Sequence, residues 1–261
     1  MKIAYVGIDL LDTALQTLGQ SKDVEILKIF TCPNLYEGES SDRVVAFAEE
    51  RGIPYTKEKV TTADLEQLHK AGCDLLLCAG YYYRLPITHA FPMVNIHPAP
   101  LPSCRGAWPM PWLLLWGEAQ GGVVFHKMEK QFDTGEILLD AAFPLSPRHT
   151  LSDYMADANR LIPSLLKDLL AHLEAYWQNA RPQGEGRYLK NPTEEDYTVS
   201  GDMTAEEADR ILRAFYGYPC LYRHTQTNTV TSLSCARAQK GDFPDAAFPL
   251  KDGQVVLCFA Q

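Results

Sequence analysis

Short apolar runs alternate with helical repeats along the first half of the chain. Residues 2–7, 24–30 and 73–80 are mostly apolar, which is typical of strands covered on both faces. Between them, the spacing of apolar residues predicts helices in "SSDRVVAFAEERG" and "TTADLEQLHKAG", both of which end in glycine. This order predicts an α/β fold with a mostly parallel twisted sheet and helices on both faces.

The pattern changes in the second half of the chain. Residues 121–128 and 135–145 are predicted strands, joined by the loop "EKQFDT". Residues 151–177 have an apolar stripe, which includes Leu161 and Leu165 and predicts one long helix. Pro163 should kink or interrupt this helix. The segment "RPQGEG", residues 181–186, is predicted to be a linker because of its glycine, proline and polar content.

The remaining residues predict a small C-terminal region. Thr204 and Glu207 form a capping-box sequence before an apolar stripe, and short strand-like runs follow it. We therefore expect two parts: a large α/β domain in residues 1–180 and a small β-rich α+β appendage in residues 187–261. No internal repeat is visible in the sequence.

Composition narrows the class of protein. The chain has 261 residues, of which 46% are hydrophobic and 22% charged, as is usual for a globular protein. It has no apolar run near the roughly 20 residues that a membrane span needs, and its first residues resemble a strand more than a signal peptide. The seven cysteines are scattered and form no C-x-x-C pair. We therefore expect a cytoplasmic protein with no disulfide framework, no metal site and no membrane partner.

Net charge and missing motifs argue against several classes of protein, namely those that bind nucleic acids, those with a dinucleotide or P-loop motif, and zinc proteases. The net charge of −9 argues against a nucleic-acid partner, because binding phosphates requires clusters of basic residues. The turn after the first strand lacks G-x-G-x-x-G, and the sequence contains neither a Walker A motif nor H-E-x-x-H.

The stretch "NIHPAPLPSCRG" places unusual chemistry at a strand end. Asn95 and His97 lie two positions apart where an apolar run ends, and three prolines follow at once. In parallel sheets, ligands bind beyond the carboxyl ends of the strands, so these side chains are candidates for a site. Asp133 lies 38 residues after Asn95 in a second loop that could reach the same edge. The residues alone leave two alternatives open: a hydrogen-bonded structural histidine, and an aspartate that only forms a turn.

The sequence resembles a known family at this point. "NIHPAPLPSCRGAWPMPW", followed by "DTGEIL", is similar to the folate-dependent formyltransferases, which act on methionyl-tRNA, on nucleotide-linked sugars or on glycinamide ribonucleotide. The resemblance covers residues 1 to about 150 and extends more weakly through "KNPTEEDY" and "ILRAF". It implies a Rossmann-like catalytic domain, 10-formyltetrahydrofolate as the formyl donor, and Asn95, His97 and Asp133 as the catalytic triad.

The chemistry of formyl transfer needs these residue types. The amide of Asn95 can donate a hydrogen bond to an oxyanion, and His97 titrates near neutral pH and can accept a proton from an amine. Asp133 is expected to hold the imidazole in one tautomer. Cys104 is expected to pack rather than to act as a nucleophile.

The resemblance also implies binding residues on both sides of the triad. Two segments, "CAGYYYRLP" and "KMEKQFD", are expected to form the walls of the folate pocket. The candidate folate contacts are Tyr82, Tyr83, Arg84, Leu85, Met128 and Phe132. The candidate contacts to the acceptor are Pro100, Arg105 and Gly106.

Charge favours a small amine as the acceptor. Residues 32–42 contain no Lys or Arg, and residues 201–261 contain six Lys or Arg against seven Asp or Glu. We therefore expect a nucleotide-linked amino sugar rather than tRNA. The alternatives are methionyl-tRNA, an amine of another natural product, hydrolysis of the formyl folate, and folate binding without catalysis. The prediction leaves a homodimer open.

Overall fold

A computed structural model describes residues 1–34 and 38–258 of the chain. The acidic loop expected at residues 32–42 therefore lies partly outside the described residues, as do the last three positions of the expected appendage. The described part divides into two compact units. The first consists of Met1–Ala107, Gly122–Phe143 and Ala156–Tyr188; the second consists of Trp108–Gly121, Pro144–Met155 and the residues from Leu189 onward.

A seven-stranded sheet forms the centre of the first unit. Its strands are β1 (Lys2–Gly7), β2 (Glu25–Phe30), β3 (Tyr55–Thr56), β4 (Leu75–Ala79), β5 (Met93–His97), β6 (Gln120–Lys127) and β7 (Ile137–Pro144). Their order is β3-β2-β1-β4-β5-β6-β7. The first five strands pair in parallel, and β6 pairs antiparallel with β5. The predicted fold class, a mostly parallel α/β sheet, is confirmed.

Five helices and one short 3-10 helix lie wholly or partly in the first unit. They are α1 (Asp12–Gln20), α2 (Asp42–Arg51), α3 (Thr62–Lys70), α5 (Leu151–Ala171), α6 (Leu173–Gln178) and the 3-10 turn Asp9–Leu11. Helix α5 begins in the second unit, and the other four helices lie wholly in the first. Helix α2 ends at Gly52, whose φ of 63° lies in the left-handed region, as the glycine after the repeat predicts. Strand β4 is apolar throughout, and its Leu75, Leu76 and Leu77 are fully buried.

The long helix differs from its prediction in two ways. It continues through Pro163 and ends at Ala171, and α6 begins two residues later. Pro163 therefore does not interrupt the helix, since proline removes a single N–H donor and the other bonds of a 21-residue helix remain. The alternative, a kink at Pro163, stays a prediction. The buried stripe also shifts by one position, to Ile162 and Leu166, because a spacing of four residues continues from Ala158.

The second unit contains two small sheets and two helices. The helices are α4 (Met110–Trp116) and α7 (Ala205–Ala214), and a 3-10 turn covers Glu194–Tyr197. One sheet has the order β10-β9-β8 and the other β11-β13-β12. Their strands are β8 (Thr198–Ser200), β9 (Cys220–Arg223), β10 (Val230–Leu233), β11 (Ala236–Lys240), β12 (Pro249–Leu250) and β13 (Gly253–Leu257). The Thr204 side chain accepts a hydrogen bond from the Glu207 N–H, which confirms the capping box of α7.

Residues 1–34 and 38–258 contain no membrane-spanning helix, no metal cluster and no disulfide bond. None of the helices there has the length and apolar character needed to cross a bilayer. Those same residues include no cluster of His, Cys, Asp or Glu with the arrangement of a metal site. All seven cysteines are free thiols, and Cys104 is buried.

Candidate functional site

Strand β5 aims two polar side chains at one side of the sheet. Side chains on a strand alternate between faces, so Asn95 and His97 share a face. The register of the next strand places His126 of β6 directly opposite Asn95. His97 and His126 are both buried, at 4% and 2% exposure, within an otherwise apolar pair of strands.

The amide of Asn95 is oriented by His126. Its Nδ2 lies 3.1 Å from Nε2 of His126, and Nδ1 of His126 donates to the Lys127 carbonyl over 2.8 Å. Since a carbonyl can only accept, the His126 proton lies on Nδ1 and its Nε2 accepts from the amide. A primary amide has two N–H hydrogens, and this contact uses one of them.

The tautomer of His97 is set by a backbone carbonyl. Nε2 of His97 donates to the carbonyl of Cys104 over 2.7 Å, so a neutral ring has its lone pair on Nδ1. Nδ1 lies 3.6 Å from Oδ1 of Asp133, which is longer than a hydrogen bond. The sequence led us to expect that Asp133 sets the tautomer of His97, but in the structure the Cys104 carbonyl sets it. Asp133 acts on His97 through its charge.

The loop that contains Asp133 is held in an unusual conformation. Asp133 has a φ of 57°, a left-handed conformation that non-glycine residues seldom adopt and that often occurs at functional sites. Its Oδ2 accepts the Gly106 N–H over 2.9 Å, and its Oδ1 lies 3.5 Å from Nε2 of His126. The structure thus brings Asn95, His97 and Asp133 to one place, with His126 between them.

Two glycines make this arrangement possible. Gly106 has a φ of 129°, a conformation that favours glycine, and this directs its N–H toward Asp133. At Gly135 a Cβ atom would lie 1.8 Å from the Lys127 carbonyl oxygen, so a side chain would push the loop off β6. The Arg-Gly and Asp-Thr-Gly sequences therefore each contain a glycine that the backbone requires.

The pKa values of His97 and Asp133 are both lowered, but burial and charge contribute differently to the two shifts. Burial lowers the pKa of His97 below its ordinary value, and the carboxylate of Asp133 opposes this shift only in part. Burial alone would raise the pKa of Asp133, but the His97 and His126 imidazoles and the Gly106 N–H together lower it to about 2. At neutral pH the site therefore contains a neutral imidazole beside a carboxylate.

We expect the Asp133 carboxylate to make the fold sensitive to acid. Its pKa falls from 3.8 to about 2 on folding, so its stabilisation is complete above pH 3.8 and is lost as the pH falls through 2. The loss is about 2 kcal/mol. Urea unfolding at pH 7 and near pH 2 should show that wild type loses this much more stability than Asp133→Asn. Equal losses in the two proteins would contradict the assigned environment of Asp133.

The two expected walls of the folate pocket contact each other. The guanidinium of Arg84 lies 4.9 Å from the centroid of the Phe132 ring, and Phe132 is 48% exposed. Lys59 lies 4.6 Å from the Tyr83 ring. Leu85 belongs to a buried apolar cluster against which Met128 packs, so its side chain is part of the core. Tyr82 is half-buried. Folate contacts of these six residues stay predictions.

The three expected acceptor residues have different surroundings. The Arg105 guanidinium donates to the side-chain oxygen of Gln183 through Nε (3.1 Å) and Nη2 (2.9 Å), and Nη2 also donates to the Gly184 carbonyl. Pro100 lies beside Gly122 of β6, and the Gly106 N–H is bonded to Asp133. The guanidinium of Arg105 thus binds other parts of the chain, and contacts of all three residues with an acceptor stay predictions.

Two residues at this site, His126 and Gln183, were not predicted from the sequence. His126 lies in "VVFHKM", where a lone polar residue in an apolar strand indicates a buried partner, but no motif includes it. Gln183 lies in the segment expected to be a linker. In the structure, Arg181 forms a β-bridge with Ile137 and Gln183 contacts the Asp133 loop, so residues 181–188 belong to the first unit.

The geometry suits attack on a carbonyl carbon by a neutral nucleophile that gives up a proton as it attacks. An amide N–H donor, a neutral imidazole with a lone pair on Nδ1 and a buried carboxylate are the groups that such a reaction uses. Cys104 contributes its backbone carbonyl to this site, and its side chain is buried.

Comparisons with known proteins agree on one family. A family model described as formyl transferase matches residues 10–169. The methionyl-tRNA formyltransferase of Treponema denticola is 32% identical over 184 residues, which are 68% of this chain and 57% of that protein. The chain spans between 57% and 66% of the length of the first curated relatives that it matches.

Solved structures share the fold at low sequence identity. A sugar N-formyltransferase from Shewanella sp. FDAARGOS_354 has a TM-score of 0.68 at 18% identity, covering 90% of this chain and 96% of that one. An N-formyltransferase from Helicobacter canadensis, in complex with folinic acid and dTDP-3-aminofucose, has a TM-score of 0.65 at 15% identity and covers 98% of both chains.

Proposed function

Because this chain belongs to the formyl transferase family, we propose that it transfers a formyl group from 10-formyltetrahydrofolate to the amine of a small substrate, a nucleotide-linked amino sugar. The observation that supports this most directly is the convergence of Asn95, His97 and Asp133 at the carboxyl end of β5. Formyl transfer needs a hydrogen-bond donor for the oxyanion, a base for the amine proton and a negative charge beside the base, and these three side chains have that chemistry.

His97 is the proposed general base. Its Nδ1 takes the proton of the amine as the amine attacks the formyl carbon, and Asp133 stabilises the imidazolium that results. Because burial lowers the pKa of His97, the ring is neutral and ready to accept this proton at pH 7. The same proton then passes to N10 of the folate as the carbon–nitrogen bond to the donor breaks.

Asn95 is the proposed oxyanion donor. One N–H of its amide is bonded to His126, which fixes the plane of the amide. The second N–H donates to the oxygen of the tetrahedral intermediate. Preorganised donors of this kind contribute about 2.7–4 kcal/mol to the transition state.

The loops beside the triad fit a folate donor. The segments that contain Arg84 and Phe132 meet at the cation–π contact, and the Phe132 side chain is 48% exposed. A flat pterin ring suits an apolar site with a few polar anchors. The structurally similar N-formyltransferase from H. canadensis is in complex with folinic acid, which supports a reduced folate as the formyl donor here.

Charge supports a small acceptor over tRNA. The chain has a net charge of −9, and its last 61 residues contain more acidic than basic side chains. A tRNA would be held mainly through phosphates, which requires many Lys and Arg residues, whereas one or two cations and backbone amides can bind a diphosphate. The sequence relatives favour the second candidate, methionyl-tRNA, since the T. denticola protein has that name.

Direct competition between acceptors tests this assignment. We expect turnover of 10-formyltetrahydrofolate with a dTDP-linked amino sugar from a panel, at a rate that moderate salt leaves unchanged. Charged initiator tRNA should be formylated far more slowly at every salt concentration. Efficient formylation of the tRNA, weakening steeply with added salt, would overturn the small-acceptor proposal and establish the second candidate.

A further inference from the structure

Residues 181–188 lie across the two loops that form the candidate site. Arg105 N–H donates to the Arg187 carbonyl over 3.0 Å, and Arg187 N–H donates to the Pro102 carbonyl over 3.1 Å. At Gly186 a Cβ would lie 2.2 Å from the Pro102 carbonyl oxygen, so the two backbones are in close contact. We call residues 181–188 the strap.

Gln183 is the residue of the strap that reaches the Asp133 loop. Its Nε2 donates to the carbonyl of Asp133 over 3.0 Å and to the carbonyl of Gly135 over 2.6 Å. Its Oε1 accepts both bonds from Arg105, at 3.1 and 2.9 Å. The amide therefore uses both hydrogens and both lone pairs of its oxygen, which is the full capacity of a glutamine side chain.

The burial pattern separates Gln183 from its neighbours. In the strap, Arg181, Pro182 and residues 184–188 are exposed, whereas Gln183 is half-buried. A side chain with four hydrogen bonds between two loops is a structural connection, and the connected atoms include the backbone of Asp133 itself.

We propose that Gln183 is a positioning residue, which fixes the Asp133 carboxylate against His97 by joining the Asp133–Gly135 loop to Arg105. The proposal rests on the proposed function, because that function assigns Asp133 as the carboxylate that acts on His97. Asp133 is in a left-handed conformation, and its carboxylate is otherwise fixed by the Gly106 N–H. Without the two bonds from Gln183, the loop can relax toward a more common conformation and move the carboxylate away.

Two substitutions at Gln183 distinguish the bonds that its N–H groups donate from the bonds that its oxygen accepts. Gln183→Met removes all four bonds while keeping the length of the side chain. Gln183→Glu keeps acceptors for Arg105 but has no N–H donor for the Asp133 and Gly135 carbonyls. Gln178→Met is the matched control, since the Gln178 amide makes an exposed bond to Glu174 on α6, away from the strap.

Hydrogen exchange tests the positioning role without any substrate. We expect the Gly106 amide, which donates to Asp133, to exchange about tenfold faster in Gln183→Met and Gln183→Glu than in wild type. Amides of β1 and β4 and the melting temperature serve as the reference for overall folding, and Gln178→Met should match wild type. If Gln183→Met does not fold, Gln183→Glu decides the question, because it is nearly isosteric. Unchanged Gly106 exchange in a folded variant would overturn the proposal.

Kinetics then tests whether the positioning matters for the reaction. With 10-formyltetrahydrofolate and a dTDP-linked amino sugar, both variants should lose about 10- to 10²-fold in kcat, since small misplacements in a catalytic site are costly. KM for the formyl donor should stay close to the wild-type value, which a general loss of structure would not produce. Faster Gly106 exchange with unchanged kcat would refute the role in catalysis. Absence of transfer by wild type would instead refute the proposed function, and the exchange result would still stand.

Discussion

Replacing His97 by alanine is expected to lower kcat for formyl transfer by about 10²–10⁴-fold, because the reaction loses its general base. The fold should survive, since His97 makes one hydrogen bond, to the Cys104 carbonyl, and its removal leaves a small cavity. The measurement is steady-state turnover of 10-formyltetrahydrofolate in the presence of the acceptor. Circular dichroism and the melting temperature show whether the variant is folded.

His69→Ala is the matched control for this prediction. His69 is an exposed histidine in the last turn of α3, and its replacement should leave kcat unchanged. A folded His97→Ala protein with wild-type kcat would contradict the assignment of His97 as the base.

Replacing Asp133 by asparagine is the second change with a large expected effect. The amide has nearly the same shape as the carboxylate but no charge, so it cannot stabilise the imidazolium that forms on His97. We expect kcat to fall by about 10²–10⁴-fold, as in other triads that lose their carboxylate. The variant also loses an acceptor for the Gly106 N–H if the new amide turns its nitrogen toward Gly106.

The pH profile distinguishes loss of charge from loss of structure. In wild type, activity should rise with pH through the lowered pKa of His97 and reach its plateau by neutral pH. In Asp133→Asn the carboxylate no longer raises the pKa of His97, so the acidic limb should move to lower pH while the plateau falls. Asp245→Asn, at an exposed position, is the control and should match wild type. A variant with the wild-type plateau would contradict the electrostatic role.

The alternation of apolar strands and helical repeats was sufficient to predict the sheet. Residues buried on both faces, such as Leu75–Ala79, give continuous apolar runs that few other structures produce. Helix ends were also predictable where a residue has a local role, as with Gly52 after α2. The long helix shows the limit: its stripe passes to Ile162 and Leu166 because tertiary packing selects between adjacent apolar positions.

The site was predictable in part for a similar reason. The period of two along a strand places Asn95 and His97 on one face, whatever the rest of the fold. Predicting the role of Asp133 required the resemblance to a family, because its approach to His97 depends on a loop conformation and on Gly106. His126 depends on the register between β5 and β6, which local patterns do not determine.

Residues 181–186 of the strap were predicted to be a linker because their composition is typical of a linker. Glycine, proline and polar residues are typical of a connection without a core, and every residue of the strap except Gln183 is exposed. The order of this segment comes from backbone bonds to Pro102 and Arg105 and from the four bonds of Gln183. Composition is insensitive to such contacts, since they join positions about 50 to 80 residues apart.

Transfer of a labelled formyl group tests the central claim most directly. Wild-type protein is mixed with 10-formyltetrahydrofolate bearing ¹³C in the formyl group and with a panel of dTDP-linked amino sugars, and the label is followed by NMR. The account predicts that the label moves to the nitrogen of one amino sugar as a formamide, and that His97→Ala leaves it on the folate. Release of labelled formate whether or not an amine is present would contradict the account, because it would make the protein a hydrolase.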